Sequence, residues 1–308
     1  MSTYGEWKKE QADMASRGIR YIGREDPEYP PGLLPHERMP RGLYVAGTLP
    51  DPGKKSVAIV GARACSAYGR AEARRFAREL AAAGVQIISG LACGIDGCAH
   101  EGALEAGGAT FAVLGCGVDI CYPREHIGLY EQMKKQGGLL SEYPPGTPPL
   151  SHHFPVRNRI ISGLADLVLV VEARLRSGSL ITADYALEQG KSVWAVPGKN
   201  ADPLSQGCNR LIAHGAGLAV SPADLLEELG IAMPEPSGRE APLRELPPGW
   251  KKRKLSMQIL EELRTGEKTL QNLRDATGAE TKELSGVLMQ LCIYGYAEEV
   301  MLGYYAAR

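Results

Sequence analysis

Between residues 56 and 220, short runs rich in Val and Ile alternate with single helical patterns, and that alternation leaves few folds open to the chain. The runs are "SVAIVG" (56–61), "VQIISG" (85–90), "TFAVLG" (110–115), "GLLSEYP" (138–144), "ADLVLVVEA" (165–173), "SVWAVPG" (192–198) and "GLAV" (217–220). Most are apolar at successive rather than alternate residues, so both faces of each strand are expected to be covered. Between them lie helical patterns such as "GRAEARRFARELAAAG" and "LITADYALEQG", closed by glycine stops. Strands linked by one helix at a time pair in parallel, which predicts an α/β fold with a doubly wound parallel sheet. One interval departs from this: "PPGTPPLSHHFP" (144–155) reads as extended chain.

The flanks read differently. Residues 1–50 form a short N-terminal extension, mostly extended from 19 to 47, and the sheet domain is placed at 51–230. Residues 231–249, "IAMPEPSGREAPLRELPPG", combine prolines with charge and read as a linker. From 250 to 308, three short amphipathic helices precede a hairpin-like pair, the pattern of a small winged-helix domain with Gly278 at its helical turn. There nine Lys and Arg stand against eight Asp and Glu, a thin balance for a duplex-binding surface, so protein contact or an accessory DNA role is expected.

The net charge of −1 excludes a uniformly basic nucleic-acid binder but leaves room for a local patch. No apolar signal core or membrane-length run is found, and seven cysteines, an odd number, point to reduced thiols in a cytoplasm. Cys93 and Cys98 share a spacing with Cys116 and Cys121, yet each pair brackets a Gly-rich turn without a finger-like scaffold. Buried core thiols are favoured there over zinc.

In an open α/β sheet the strand-to-helix turns emerge at one carboxyl edge. Gly61, Arg63, Ser66 and Gly69 surround such a helix start, where backbone N–H groups and the helix dipole favour an anion. The spacing is not that of a dinucleotide fingerprint, since bulky Arg63 stands where a pyrophosphate would approach and Ser89-Gly90 close the second strand without an acid. A bare phosphate suits Arg63 and Ser66 better. The competing reading has Gly61 merely turning the chain and Arg63 solvated. Ser89 and Gly90 repeat the arrangement one unit on. Asp96 and His100, at i and i+4, read as a helix-start acid and a structural hydrogen bond rather than an acid–base pair.

Ser177, Gly178 and Thr182 mark a third helix start. Before them, "HFPVRNRIISG" (153–163) sets Arg157, Asn158 and Arg159 beside Phe154, one of only three phenylalanines. An aromatic face beside cationic forks suits an unpaired polyanion, whose bases stack while its phosphates pair with arginine. The alternative is that Phe154 plugs the sheet edge.

Several of these stretches, in order, carry a resemblance: "VAIVGARACSAYG", "SGLACGIDGCAHEGAL", "AVLGCGVDICYP", "LLSEYPPGTPP", "FPVRNRIISGLAD", "SGSLITADYALEQGKSVWAVPG" and "GCNRLIAHGA". From about residue 19 to 220 the chain resembles the DNA-processing protein A family (DprA, also called Smf), and 250–308 resembles that family's optional winged helix. The resemblance implies an extended Rossmann-like fold, a homodimer, and single-stranded DNA as the bound partner. It also implies loading of the recombinase RecA onto incoming DNA in natural transformation, with single-strand-binding protein displaced or bypassed. By position it places the phosphate turn on Gly61 and Arg63, and the basic-aromatic segment on Phe154, Arg157, Asn158 and Arg159. Ala62 replaces the Ser common in the family, and a larger helical domain that often opens family members is expected to be absent or vestigial here.

The expectation is therefore a non-enzymatic DNA binder without a cofactor. The rival class is a nucleotide-processing hydrolase of the related phosphoribohydrolase type. It would need a poised carboxylate and a Gly-rich turn, whereas "YPPGTPP" puts prolines where N–H donors are required. Glu142 and Glu172, the candidate acids, are expected to cap helices or pair with arginines. A winged-helix regulator sensing a nucleotide would need a more basic recognition helix.

Overall fold

The computed structural model describes residues 11–231, 246, 250, 252–264, 266, 268–301 and 303–307. The chain divides into two compact units, with the division between Pro234 and Glu235. The linker expected at 231–249 lies outside the described residues except for Ile231 and Leu246.

After helical residues 11–16, the larger unit runs through β1 (Ile19–Gly23), β2 (Gly42–Gly47), β3 (Ser56–Val60), α1 (Ala67–Ala82), β4 (Gln86–Ser89), α2 (Ile95–Glu105), β5 (Thr110–Val113), α3 (Ile127–Gln136) and β6 (Gly137–Ser141). It continues through α4 (His153–Leu164), β7 (Leu167–Val170), α5 (Gly178–Glu188), β8 (Ser192–Ala195), α6 (Gln206–Ala213), β9 (Gly217–Leu218) and α7 (Pro222–Glu228). The nine strands form one sheet in the order β1-β2-β6-β5-β4-β3-β7-β8-β9. All neighbours from β6 to β9 are parallel, whereas β1, β2 and β6 pair antiparallel. Residues 19–47, read as an extended prelude, thus supply two strands to the main sheet.

Every residue of β3, β4, β5 and β7 is buried, as strands covered on both faces must be. Period-two alternation sends Val57 and Ile59 to the face covered by α1, while Ala58 and Val60 meet Ile160 and Ile161 of α4. Helix α1 shows why the pattern was readable. Ser66 caps its first turn by accepting the Gly69 N–H at 3.0 Å; Ala73, Phe76, Ala77 and Leu80 make its apolar stripe; Gly84, at φ +87°, follows its end.

Residues 153–155, read as the end of an extended stretch, instead open α4. Pro155 sits in the first turn of α4, where its missing N–H leaves no bond unmade. The far end of α4 is closed by Lys191, whose ammonium donates to the carbonyls of Ser162 at 2.9 Å and Gly163 at 2.6 Å.

In the smaller unit the elements are α8 (Arg253–Arg264), β10 (Lys268–Thr269), α9 (Leu270–Thr277), α10 (Thr281–Ile293), β11 (Ala297–Met301) and β12 (Tyr304–Ala307). The strands form an antiparallel sheet in the order β10-β12-β11. Gly278, at φ +67°, ends α9 in the left-handed region. Ile259, Leu260, Leu273, Leu284 and Leu288 pack into a core of its own. No helix among the described residues is long and apolar enough to cross a membrane.

One buried group makes the larger unit sensitive to acid. Thr110 donates its hydroxyl to the Ile87 carbonyl, so His100 must donate Nδ1–H to Thr110 Oγ at 2.7 Å, and its buried Nε2 has no partner among the described residues. Burial, with His126 and Arg157 nearby, pulls the His100 imidazole down to about 3. Between its ordinary value near 6.5 and that value, the unfolded chain takes up a proton that the folded one refuses, so stability falls as pH drops. Denaturant unfolding between pH 6.5 and 5 is expected to show a shallower pH slope in His100→Leu than in the parent protein.

Candidate nucleic-acid interface

Where strand order reverses, at the carboxyl ends of β3 and β7, the turns leave an open cleft of about 390 Å³. Its walls include Gly61, Arg63, Asp96, Tyr122, Phe154, Arg157, Asn158, Ser177, Gly178 and Thr182.

The β3–α1 turn brings Arg63 to the rim. Gly61 is required there, since a Cβ would stand 2.6 Å from Ile95 Cγ1 and 3.0 Å from the Glu172 carbonyl. The exposed Arg63 guanidinium lies over Phe154, its Cζ 5.2 Å from the ring centroid, a cation–π contact. The start of α1, expected to take a phosphate, is already filled. The Glu172 carboxylate, 2% exposed, accepts the Ser66 N–H at 2.9 Å and the Ser66 hydroxyl at 2.5 Å. A Cβ on Gly69 would stand 2.3 Å from Glu172 Oε2. The anion that the helix dipole attracts is therefore the protein's own carboxylate, and Ser66 and Gly69 do not line the cleft.

Ser89 and Gly90 are likewise structural. Ser89 donates its hydroxyl to the Ile59 carbonyl at 2.6 Å, and Gly90 donates its N–H to Asp96 Oδ2 at 3.0 Å. Burial pushes the Asp96 carboxyl up, against the pull of the Arg157 charge.

Helix α4 reverses the expectation for its arginines. Arg157 is 3% exposed and donates to the Gly90 carbonyl at 2.9 Å and to the Val113 carbonyl. Burial lowers its guanidinium to about 10, opposed by Asp96. Arg159 is ion-paired with Glu142 at 2.6 Å, with side chains 13% and 15% exposed, and donates Nε–H to the Arg38 carbonyl at 2.8 Å. Neither is a free cation awaiting a phosphate. In a strand, residues two apart share a face; in a helix they diverge by about 200°, which sends Arg157 inward and Arg159 away from the cleft. Asn158 does reach the cleft, donating Nδ2–H to the Gly178 carbonyl at 3.2 Å.

Across the cleft, Ser177 caps α5 by accepting the Ser179 N–H at 3.4 Å, Gly178 has open space where a Cβ would be, and buried Thr182 lies in the wall. The site thus gathers Gly61, Arg63, Phe154, Arg157, Asn158, Ser177, Gly178 and Thr182, and leaves out Ser66, Gly69, Ser89, Gly90 and Arg159. Sequence reasoning missed Tyr122, although "CYP" (121–123) follows β5 and so belongs to the same carboxyl edge. Among the described lining residues, Arg63 is the cation left exposed, because Arg157 is buried with Asp96. No group of three metal-ligating side chains is found among the described residues.

A mostly parallel Rossmann-like sheet with a cationic-aromatic cleft at its switch point defines a class of anion-suited α/β proteins. Within it, the model of the DNA recombination-mediator protein A family matches residues 20–230, and the chain belongs to that family. It is 50% identical over 202 residues to protein Smf of Escherichia coli, covering 65% of this chain and 54% of that protein. To DprA of Bacillus subtilis it is 44% identical over 215 residues, covering 69% and 72%. The matched region thus spans little more than half of the Smf protein. The fold superposes on DprA of Streptococcus pneumoniae with a TM-score of 0.65 at 40% identity, covering 73% of this chain and 80% of that one. For DprA of Helicobacter pylori, described for its single-stranded DNA binding mode, the TM-score is 0.61 at 30% identity, covering 68% and 95%.

Removing Arg157 strands Asp96 in the interior. Arg157→Ala is expected to destabilise the larger unit by about 3–5 kcal/mol in urea unfolding. The exposed Arg63→Ala should stay within about 0.5 kcal/mol.

Proposed function

We propose that this protein binds single-stranded DNA in the cleft, protects it, and loads a RecA-type recombinase onto it, without catalysing a reaction of its own. The observation that carries this reading is the exposed Arg63 guanidinium held over Phe154 at the carboxyl edge, a fork for one phosphate beside an aromatic cluster. Family membership and the DNA-binding relative from Helicobacter pylori point the same way. The carboxylates that a hydrolase would use are engaged: Glu172 holds Ser66, Glu142 holds Arg159, and Asp96 accepts from Gly90 beside Arg157. With one exposed cation among its described lining residues, the cleft suits one nucleotide unit of a longer strand.

A homodimer belongs to the same reading. Leu187, Leu218 and Val220 are exposed near the β8–β9 end of the sheet, an apolar face suited to a second copy of the chain. In the smaller unit we read a winged helix whose α10 exposes Met289 and Ile293, a face suited to protein contact rather than to duplex DNA.

Fluorescence anisotropy with oligo-dT, duplex DNA and mononucleotides across a salt series tests the reading. Oligo-dT should bind far more tightly than the other two. Arg63→Ala should weaken binding and flatten the log–log salt slope by about 0.7 to 1, and Arg159→Ala should leave the slope unchanged. Equal affinity for mononucleotides, with turnover, would favour the hydrolase class. Light scattering should report a dimer that Leu187→Glu together with Leu218→Glu converts to a monomer.

A further inference from the structure

The aromatic residue best placed to meet a base is not the one that the basic segment advertises. Phe154 is occupied on several sides. A Cβ on Gly115 would stand 2.8 Å from its ring edge, Arg63 Cζ lies 5.2 Å and Arg157 Cζ 5.9 Å from its centroid, and the Tyr122 ring is 5.6 Å away at a 32° tilt. A base sandwiched between two rings needs about 7 Å from centroid to centroid, twice an optimal carbon–carbon separation of roughly 3.5 Å. Tyr122 and Phe154 are too close for that. Insertion between them is closed, and a base must stack on an outward face.

Tyr122 offers that face. It lines the cleft and is 42% exposed. Its neighbours Ile120 and Cys121 pack against the core beside β5 and β6, but Tyr122 contributes to none of the buried clusters. Left out of the core and lining the cleft beside Arg63, its ring face is available to a base. Arg63 Cζ and the Tyr122 ring lie 5.2 Å and 5.6 Å from the same Phe154 centroid, which puts a phosphate fork and a ring face beside one another for a single strand to meet.

We propose that Tyr122 is the base-stacking residue of the cleft, and that Phe154 is a positioning residue that holds Arg63 by cation–π contact and backs the Tyr122 ring. The proposal rests on the cleft being the single-stranded DNA site, and it names the base, stacked on its π face without sequence preference, as the group recognised there.

The test uses the full chain, oligo-dT carrying a single 2-aminopurine, and an oligomer of the same length that is abasic throughout. Tyr122→Ala should weaken binding by about 5- to 150-fold and abolish stacking-dependent quenching of 2-aminopurine, whereas Tyr122→Phe should keep both. The abasic oligomer should bind parent and Tyr122→Ala alike at salt concentrations where phosphate contacts dominate. Unchanged thermal melts confirm that the exposed ring was removed without loss of fold. If Tyr122→Ala binds within twofold of the parent while Arg63→Ala is weakened, the Tyr122 assignment is overturned and the cleft survives as the site. If Arg63→Ala and Tyr122→Ala are both silent, the reading of the cleft fails, and this proposal with it.

Discussion

The Arg157 guanidinium stands under the cleft and donates to carbonyls at the ends of two neighbouring strands, Gly90 after β4 and Val113 of β5. It also compensates buried Asp96, which in turn receives the Gly90 N–H. A charge taken so far out of water persists only where its partners are complete. Those partners hold the start of α2, the carboxyl ends of β4 and β5, and the Phe154 side of α4 in one arrangement. The packing is close: a Cβ on Gly90 would lie 2.5 Å from the Arg157 guanidinium. Much of the rigidity behind the rim follows from this one buried cation.

A second internal charge shapes the neighbouring turn. Glu172, two residues past the end of β7, spans to the start of α1 and satisfies Ser66. The helix dipole there would otherwise attract an external anion. With that position taken, the cleft keeps a small positive character, concentrated on Arg63, and the open helix start at Ser177–Gly178 faces it. The site is lean in charge and rich in rings. That composition supports the proposed ligand, which presents aromatic faces along with phosphates, over a compact polyanion.

Much of the architecture was legible. Val57 to Val60 and Leu167 to Val170 read as strands covered on both faces because β-branched and leucine runs without alternation have no wet side to offer. Gly84 marked the far end of α1 through left-handed geometry, whereas Ser66, expected to meet a phosphate, caps the near end. The extended reading of 144–155 fails at its last three residues, which open α4. The prolines there suggested extended chain, yet Pro155 stands where a helix tolerates it. On that helix Arg157 and Arg159, expected to act together on one polyanion, point apart. Residues 19–47 read only as extended chain, because β1 and β2 join the sheet by antiparallel pairing, with no crossover helix between them to announce a place in it.

Local pattern alone determined the parallel sheet, the edge at which the turns gather, and several of the residues gathered there, since each depends only on spacing along the chain. It could not decide which polar side chains remain free for a ligand. That depends on partners far away in sequence: Glu172 closes over Ser66 across 106 positions, Arg157 reaches Gly90 across 67, and Arg159 meets Glu142 across 17. Tertiary packing assigns those partners, because a buried charge or N–H takes whichever complement the fold brings within reach, and only what is left over meets solvent or DNA.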